Sequence, residues 1–105
     1  MTYTVRFLLP AEGEFYGLPK RLQRRFRDPL PYLEANPFRS HPFLPVKDVG
    51  QVPGVWRFPF GDYLVFYKVD GETVWIGKFW RRPPAYDAAR LRELRRAFHR
   101  LPPGP

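Results

Sequence analysis

The sequence predicts a small α+β domain in which helices pack on a twisted antiparallel sheet. Three observations lead to this fold class. An alternating polar and apolar segment near residue 5 indicates an early strand, residues 55–80 read as three consecutive strands, and a charged segment with helical periodicity follows them. A chain of 105 residues suffices for one domain with a modest core, so we expect residues 1–105 to form a single domain.

The first strand is expected over residues 2–9, where Thr4 and Arg6 alternate with apolar side chains. This alternation gives the strand one buried face, and Pro10 ends the pattern. Residues 11–17 are acidic and include two glycines, which predicts a short helix or none.

Apolar residues recur at helical spacing from Leu18 to Leu33. Pro29 and Pro31 interrupt this pattern, because each removes a backbone donor and disfavours helical dihedral angles at the residue before it. We therefore expect a helix over about 20–28 and a kinked or restarted turn through residue 35. The proline-rich segment that follows, residues 36–54, is expected to form a loop along one edge of the domain.

The three later strands form an antiparallel meander in this interpretation. The pair Asp70-Gly71 is a strong signal for a type I′ hairpin turn, and Gly61-Asp62 marks the turn before it. The strands are expected at about 55–59, 62–69 and 73–80.

A last helix is expected after Asp87, whose side chain can cap its first turn. The helix is expected to end at Pro102-Pro103, and residues 102–105 are expected to fray. Its apolar stripe consists of Leu91, Leu94, Phe98 and Leu101.

The chain is strongly basic, with eighteen lysines and arginines against ten acidic residues and a net charge of +8. This balance favours polyanions or an acidic protein as partners. Fourteen of the basic residues are arginine, which suits bidentate phosphate contacts, although a GC-rich or thermophilic source would also raise arginine and proline content. The chain has no cysteine, two isolated histidines and no long apolar segment, so we expect a cytoplasmic protein without metal, cofactor or membrane contact.

The first group of candidate binding residues lies in the predicted helix over 20–28. Arg21, Arg24 and Arg25 share one face of that helix, away from its apolar stripe. Two interpretations stay open, a solvated helix face and a surface that contacts phosphates. The cations of this segment are Lys20, Arg21, Arg24, Arg25 and Arg27.

The second group combines Arg57, in the first strand of the meander, with Arg81, Arg82 and Tyr86 after the last strand. These arginines converge on one anion site if Arg57 lies beside the last strand. Such a site could hold successive phosphates and stabilise charge that develops during phosphoryl transfer. The alternatives are that Arg57 pairs with a carboxylate such as Asp62 and that Tyr86 only packs the last helix.

Several short segments occur in a characteristic order, and together they resemble the RelE/ParE toxin superfamily of bacterial toxin-antitoxin systems over residues 3 to about 100. The resemblance implies an α+β fold and a cognate antitoxin. The segments that carry it are Leu18-Pro19-Lys20-Arg21-Leu22, Asn36-Pro37, Pro53-Gly54-Val55-Trp56-Arg57-Phe58, Gly61-Asp62-Tyr63-Leu64-Val65-Phe66-Tyr67, and Arg81-Arg82 before Tyr86.

The RelE branch cuts messenger RNA in the ribosomal A site without a metal ion. Basic residues, and often a tyrosine, promote attack of a 2′-hydroxyl on the adjacent phosphate. The resemblance therefore implies Arg57, Arg81 or Arg82, and Tyr86 as catalytic residues. The RNA contacts that we expect are Lys20, Arg21, Arg24, Arg25, Lys47 and Lys78.

Two positions depart from the RNA-cleaving relatives. Leu64 stands where many of them have an arginine, and Pro59 replaces a second strand cation. The segment 63–67 is instead similar to the ParE branch, whose members inhibit DNA gyrase and are not nucleases. The resemblance thus implies an mRNA endonuclease, with a gyrase inhibitor or a non-catalytic RNA- or ribosome-binding relative as alternatives. In each case the expected protein partner is an acidic, partly disordered antitoxin.

Overall fold

The computed structural model describes residues 2–82 and 86–101, and the expected frayed tail at 102–105 lies outside this range. A five-stranded sheet has the strand order β1-β5-β4-β3-β2. The strands are β1 (Thr4–Phe7), β2 (Lys47–Asp48), β3 (Val55–Phe60), β4 (Tyr63–Asp70) and β5 (Thr73–Arg81). The helices are α1 (Leu9–Tyr16), α2 (Lys20–Arg25), α3 (Leu30–Ala35) and α4 (Ala88–Ala97). The predicted α+β fold is confirmed.

The antiparallel meander is present as predicted. Strand β4 pairs with β3 on one side and with β5 on the other. Gly71 in the β4–β5 turn has a φ of 60°, but neither Asp70 nor Glu72 has a positive φ. A type I′ turn needs a positive φ at both central residues, so the prediction of that turn type was wrong, and a single glycine at the first central position is typical of type II′. The two outer strands extend the meander, since β1 pairs in parallel with β5 and the short β2 pairs with β3.

Helix α1 is a full eight-residue helix, where the sequence predicted a short helix or none. Pro10 lies in its first turn, where a missing backbone N–H costs nothing. Ala11 is fully buried, and Glu14 binds strand β5 through both carboxylate oxygens. These tertiary contacts offset the unfavourable free energy of placing Gly13 inside a helix.

The predicted break between two helical segments is confirmed, although α2 ends at Arg25 rather than near residue 28. Pro29 immediately precedes α3 and disfavours helical dihedral angles at the residue before it. Residues 36–54 form the expected loop, except for strand β2 and a short bridge between His41 and Leu44. The buried Tyr67 hydroxyl anchors this loop by donating to the Pro37 carbonyl at 2.6 Å, and burial raises the pKa of that tyrosine.

The sheet has a core on each face, and the two cores differ in size. Helices α1, α2 and α3 cover one face, and their core includes Leu22, Phe26 and Leu33 against Phe58 and Ile76. Helix α4 covers the other face with a smaller core. The buried members of that smaller core are Val52, Val55, Phe66, Leu94 and Phe98.

Helix α4 begins as predicted, with the Asp87 side chain accepting a hydrogen bond from the Arg90 amide at 2.9 Å. It ends at Ala97, so the prediction that it continues to Pro102 was wrong. The apolar stripe nevertheless packs on the sheet, because Phe98 and Leu101 follow in a turn that keeps them against the α4-side core. The Phe98 ring lies directly over Gly77 of β5, where a side chain would not fit.

Candidate functional site

The structure brings Arg57 and Tyr86 together on the α4 side of the sheet. Arg57 lies on β3, and its guanidinium donates a hydrogen bond to the Tyr86 hydroxyl. The guanidinium carbon is 5.3 Å from the centre of the tyrosine ring. Both side chains are half-buried, so the pair keeps access to solvent.

Local structure fixes each member of this pair. Arg57 pairs across β3 and β4 with Phe66, a fully buried residue. The Tyr86 ring packs edge-on to Phe66 with ring centres 6.3 Å apart, and the cap of α4 begins at the next residue, Asp87. Tyr86 therefore packs beside α4 and contacts Arg57 as well, and the two interpretations of this tyrosine do not exclude each other.

Lys47 extends the cationic site toward the edge of the sheet. It lies opposite Arg57 in the β2–β3 pairing, and directly opposed residues of antiparallel strands project to the same face. Lys47 is exposed, whereas the two apolar residues on the other side of Arg57, Pro59 and Leu64, form a cross-strand pair. The site is thus cationic toward β2 and apolar toward the β3–β4 turn.

Arg81 and Arg82 do not join Arg57, because β4 lies between β3 and β5. A β-bulge at Gly77 shifts the alternation of β5, so Arg81 pairs with Tyr63 and faces the α1–α3 side of the sheet. The Arg82 guanidinium donates to the Gly61 carbonyl at 3.2 Å, at the β3–β4 turn. Arg57 therefore does not lie beside the last strand, and Arg81 and Arg82 do not form one anion site with it.

Lys78 is in an ion-pair network rather than free on the surface. Its Nζ lies 2.8 Å from Glu14 of α1 and 2.9 Å from Glu93 of α4. Partial burial acts to lower the pKa of Lys78, but hydrogen bonds and charge from the two glutamates outweigh it and raise the pKa above the usual lysine value. This geometry gives Lys78 a role in joining both helices to β5 and leaves its charge neutralised locally.

The cations of α2 remain exposed, as either interpretation of that helix requires. Among residues 2–82 and 86–101, none of them forms an ion pair with a carboxylate. Leu22 and Phe26 anchor the helix beneath them in the α1–α3-side core. The exposed cations are Lys20, Arg21, Arg24 and Arg25 of α2, together with Arg27 just after the helix.

Sequence reasoning missed Lys68, a lysine on the same face as Arg57. It is only 7% exposed and lies between Val55 and Trp75 across the sheet. Alternation along β4 could have found it, since Lys68 is two residues from Phe66 and therefore projects to the same side. Its charge lies diagonally across the strand pair from Arg57, so it adds to the positive potential of this face.

The three tryptophans mostly serve as packing residues. Trp56 contacts Phe38 with ring centres 5.5 Å apart, and Trp80 contacts Phe66 at the same separation. Trp75 lines an open groove between α1 and α4. No ring–ring or cation–π pair joins these tryptophans to Arg57 or Tyr86 in the part of the chain that the structure describes.

Chemically, the site offers a fixed cation beside a phenol. Arg57 occupies an acceptor position of the Tyr86 oxygen, which leaves the phenolic hydrogen available for donation. Residues 2–82 and 86–101 contain no group of three side chains able to hold a metal ion. No helix within these residues is long and apolar enough to cross a membrane.

Comparisons with known proteins agree with the resemblance seen in the sequence. No curated protein sequence matches the chain. The archaeal RelE in the RelE-RelB complex from Pyrococcus horikoshii OT3 superposes with a TM-score of 0.66 at 28% identity, over 81% of this chain and 100% of that one. The toxin-antitoxin complex RelBE2 from Mycobacterium tuberculosis gives 0.58 at 23% identity, over 78% and 100%, and this match supports the fold alone.

A family model covers most of the described chain. Residues 5–86 match the model for the ParE toxin of type II toxin-antitoxin systems. The match includes the sheet except for Thr4, the first residue of β1, and it ends at Tyr86. The chain therefore belongs to the ParE toxin family, within the RelE/ParE superfamily of type II toxins.

Proposed function

We propose that this toxin acts as a ribosome-associated mRNA endonuclease that needs no metal ion, with Arg57 and Tyr86 as its catalytic pair. The observation that carries the proposal is the direct hydrogen bond between these two side chains on an accessible face of the sheet. A cation and a proton donor within reach of one phosphate are the groups that RNA cleavage by an internal hydroxyl requires.

In the proposed reaction, the RNA 2′-oxygen attacks the adjacent phosphorus and releases its proton to solvent water. The new bond forms between that oxygen and phosphorus, while the bond to the 5′-oxygen of the next nucleotide breaks. Arg57 stabilises the extra negative charge on the phosphate oxygens, and Tyr86 donates its hydroxyl proton to the departing 5′-oxygen. Solvent also returns a proton to the Tyr86 phenolate once the reaction is complete. The products are a 2′,3′-cyclic phosphate and a 5′-hydroxyl end.

Exposed cations near the pair would position the RNA. Lys47 lies beside Arg57 in the strand pairing and can contact a neighbouring phosphate. Arg81 and Arg82 lie at the end of β5, near the β3–β4 turn and away from Arg57. We propose that they contact the flanking RNA or the ribosome. The α2 cations Lys20, Arg21, Arg24 and Arg25 belong to the same class of contact.

A cognate antitoxin is the proposed protein partner, because both solved neighbours are complexes of a toxin with its antitoxin. The net charge of +8 favours an acidic chain that folds on this surface. The proposed site of action is the cytoplasm, where ribosomes and messenger RNA are found.

Inhibition of DNA gyrase is the second candidate function. Two observations favour it: the matching family model is that of the ParE toxin, and Leu64 with Pro59 makes the surface beside Arg57 apolar. A gyrase inhibitor would use this face for protein contact and would need no proton donor at Tyr86.

The first experiment compares the wild-type chain with Arg57→Ala, Tyr86→Phe and the control Arg92→Gln after induction in bacteria. We expect in-frame mRNA 5′ ends with the wild type and the control, a loss of about 10²–10³-fold in cleavage for Arg57→Ala, and a smaller loss for Tyr86→Phe. Plasmid supercoiling is measured in the same cultures.

Altered supercoiling without new RNA ends would replace the nuclease proposal with gyrase inhibition. Cleavage that survives Arg57→Ala at the wild-type rate would remove Arg57 from the catalytic pair. Binding to ribosomes without either effect would identify a non-catalytic relative.

A further inference from the structure

A cleft opens on the α1–α3 side of the sheet, between the α2–α3 turn, the loop after α3 and the β3–β4 turn. Its volume is about 760 Å³, a size that accommodates a small planar ligand with charged groups. Arginines line one wall and aromatic rings line another. The lining residues that matter here are Arg25, Arg27, Tyr32, Phe43 and Phe60.

The aromatic wall ends in a ring that is exposed but held in place. Phe43 is 80% exposed, and its amide donates to Nδ1 of His41 at 3.1 Å. His41 and Leu44 exchange two backbone hydrogen bonds of 3.0 and 2.9 Å, which close the turn around Phe43. Because the backbone at Phe43 is held before binding, less conformational entropy is lost when a ligand stacks on its ring.

Three rings form a continuous array along this wall. The His41 ring is roughly parallel to Phe43, with ring centres 5.5 Å apart, and its centre lies 4.6 Å from that of Tyr32. Phe43 and Tyr32 both line the cleft. The array thus offers flat apolar surface to a planar group.

The cationic wall is continuous with the α2 surface. Arg25 and Arg27 line this cleft and also a smaller neighbouring depression, which Arg21 and Arg24 complete. Asp28 lines both as well, so the local balance is four arginines against one carboxylate. No ion pair joins these arginines to a carboxylate in residues 2–82 and 86–101, which leaves their donors available for phosphate.

We propose that this cleft binds single-stranded nucleic acid, with an unpaired base stacked on Phe43 and the adjoining phosphates held by Arg25 and Arg27. Stacking surface combined with a cationic groove is the combination that recognises unpaired strands. A duplex keeps its bases inside its own stack, and an acidic peptide has no need of a fixed aromatic ring. RNA and DNA share the recognised chemistry.

The cleft is separate from the Arg57–Tyr86 pair, yet one strand can serve both. Pro59 lines the cleft and lies two residues from Arg57 on β3. Strand β2 pairs with β3 only at Trp56 and Arg57, so it leaves the β3 edge beside Pro59 uncovered. Binding in the cleft requires neither catalytic residue and is independent of the proposed cleavage.

The test measures binding of a labelled short single-stranded RNA by fluorescence anisotropy, with 2′-O-methyl groups that prevent cleavage. Phe43→Ala should weaken binding about fivefold or more, because one stacked base is lost. The control Tyr16→Ala removes a 65% exposed aromatic residue on α1 and should leave affinity unchanged.

A salt titration tests the phosphate contacts. Arg25→Gln and Arg27→Gln should each reduce the slope of log affinity against log salt by about 0.7, the value for one phosphate of a single strand. The control Arg92→Gln removes the same charge from an exposed position on α4 and should leave the slope unchanged.

Competition with single-stranded DNA, duplex RNA and poly-glutamate completes the experiment. Weak competition by duplex RNA and by poly-glutamate supports binding of single strands in the cleft. Competition by single-stranded DNA shows whether the protein also recognises the sugar. Equal competition by poly-glutamate together with full affinity of Phe43→Ala would overturn the proposal in favour of a general polyanion surface. Because Arg57→Ala should keep the Phe43 effect, loss of cleavage and loss of cleft binding are distinguishable.

Discussion

Three strand cations on the α4 side of the sheet and the arginines of α2 on the other side are held in different ways. On the α4 side, Arg57 binds Tyr86, Lys78 binds two glutamates, and Lys68 is almost fully buried. On the α1–α3 side, the arginines of α2 are exposed and form no ion pair within the described residues. Fixed charges favour defined chemistry at one phosphate, whereas exposed charges give attraction that salt screens.

The hydrophobic cores on the two faces also differ in size. The face with the exposed arginines has the larger core, and the Arg57–Tyr86 pair lies on the face with the smaller one. Tyr86 directly precedes the cap of α4, so the geometry of the pair depends on how well α4 is held. The Arg57–Tyr86 pair is therefore held by fewer buried apolar contacts than the arginine surface on the other face.

A matched pair of substitutions tests this difference most strongly. Leu33 and Leu94 are both 0% exposed, the first in the larger core and the second in the smaller. Leu33→Ala should lower the free energy of unfolding by about 2–5 kcal/mol. Leu94→Ala should cost less globally and should speed hydrogen exchange mainly in α4, because that helix can open without the larger core.

Urea unfolding and amide exchange measure both quantities. Equal global losses with unchanged exchange in α4 would contradict the proposed difference in support.

Gly77→Ala examines the contact that fixes the end of α4. A Cβ at this position would lie 2.2 Å from the Phe98 ring, so the ring must move and the variant should lose about 1–3 kcal/mol of stability. Gly13→Ala is the control: nothing lies within 4 Å of its Cβ, and alanine in a helix should gain about 0.5–1 kcal/mol. Thermal unfolding of the two variants should therefore shift in opposite directions, and a shared direction would contradict the packing.

Lys78→Met gives the smallest expected effect, about 1 kcal/mol or less, because the ion pairs are partly exposed. Folding raises the pKa of Lys78, so its contribution is complete below the usual lysine pKa and is lost as pH rises through the folded value. The stability gap between wild type and variant should be constant near neutral pH and close in alkali.

The exposed Lys47→Met serves as the control and should show no gap at either pH. A Lys78 gap that persists in strong alkali would show that the lysine stem, rather than its charge, stabilises the fold.

Local patterns were sufficient to predict the meander and the break at Pro29. The Asp70-Gly71 pair and the alternation on either side of it are properties of neighbouring residues, and the structure confirms the hairpin there, although not the type I′ turn. The sequence left open whether a short helix forms at α1, and it did not predict strand β2, because the stability of both elements comes from distant partners. Glu14 binds Lys78, and the exposed two-residue β2 has no apolar pattern of its own.

The candidate site was predicted only in part. Arg57 and Tyr86 meet as the resemblance implies, but Arg81 projects to the opposite face. One extra residue at Gly77 reverses the alternation of β5, and the isolated glycine inside the strand pattern is a signal for such a bulge that could have been used. The predicted meander already places β4 between Arg57 and β5, so the separation of Arg57 from Arg81 and Arg82 could have been inferred from the sequence.

The parallel pairing of β1 with β5 also dictates when the protein can finish folding during its own synthesis. Thr4 reaches its partner Thr73 only after most of the chain has been translated, and Tyr86 follows later still. Translation proceeds at about 5–20 residues per second, so the first strand waits seconds for its neighbour. A nascent chain therefore cannot complete the sheet before β5 has been translated, and the contact between Arg57 and Tyr86 forms only after that.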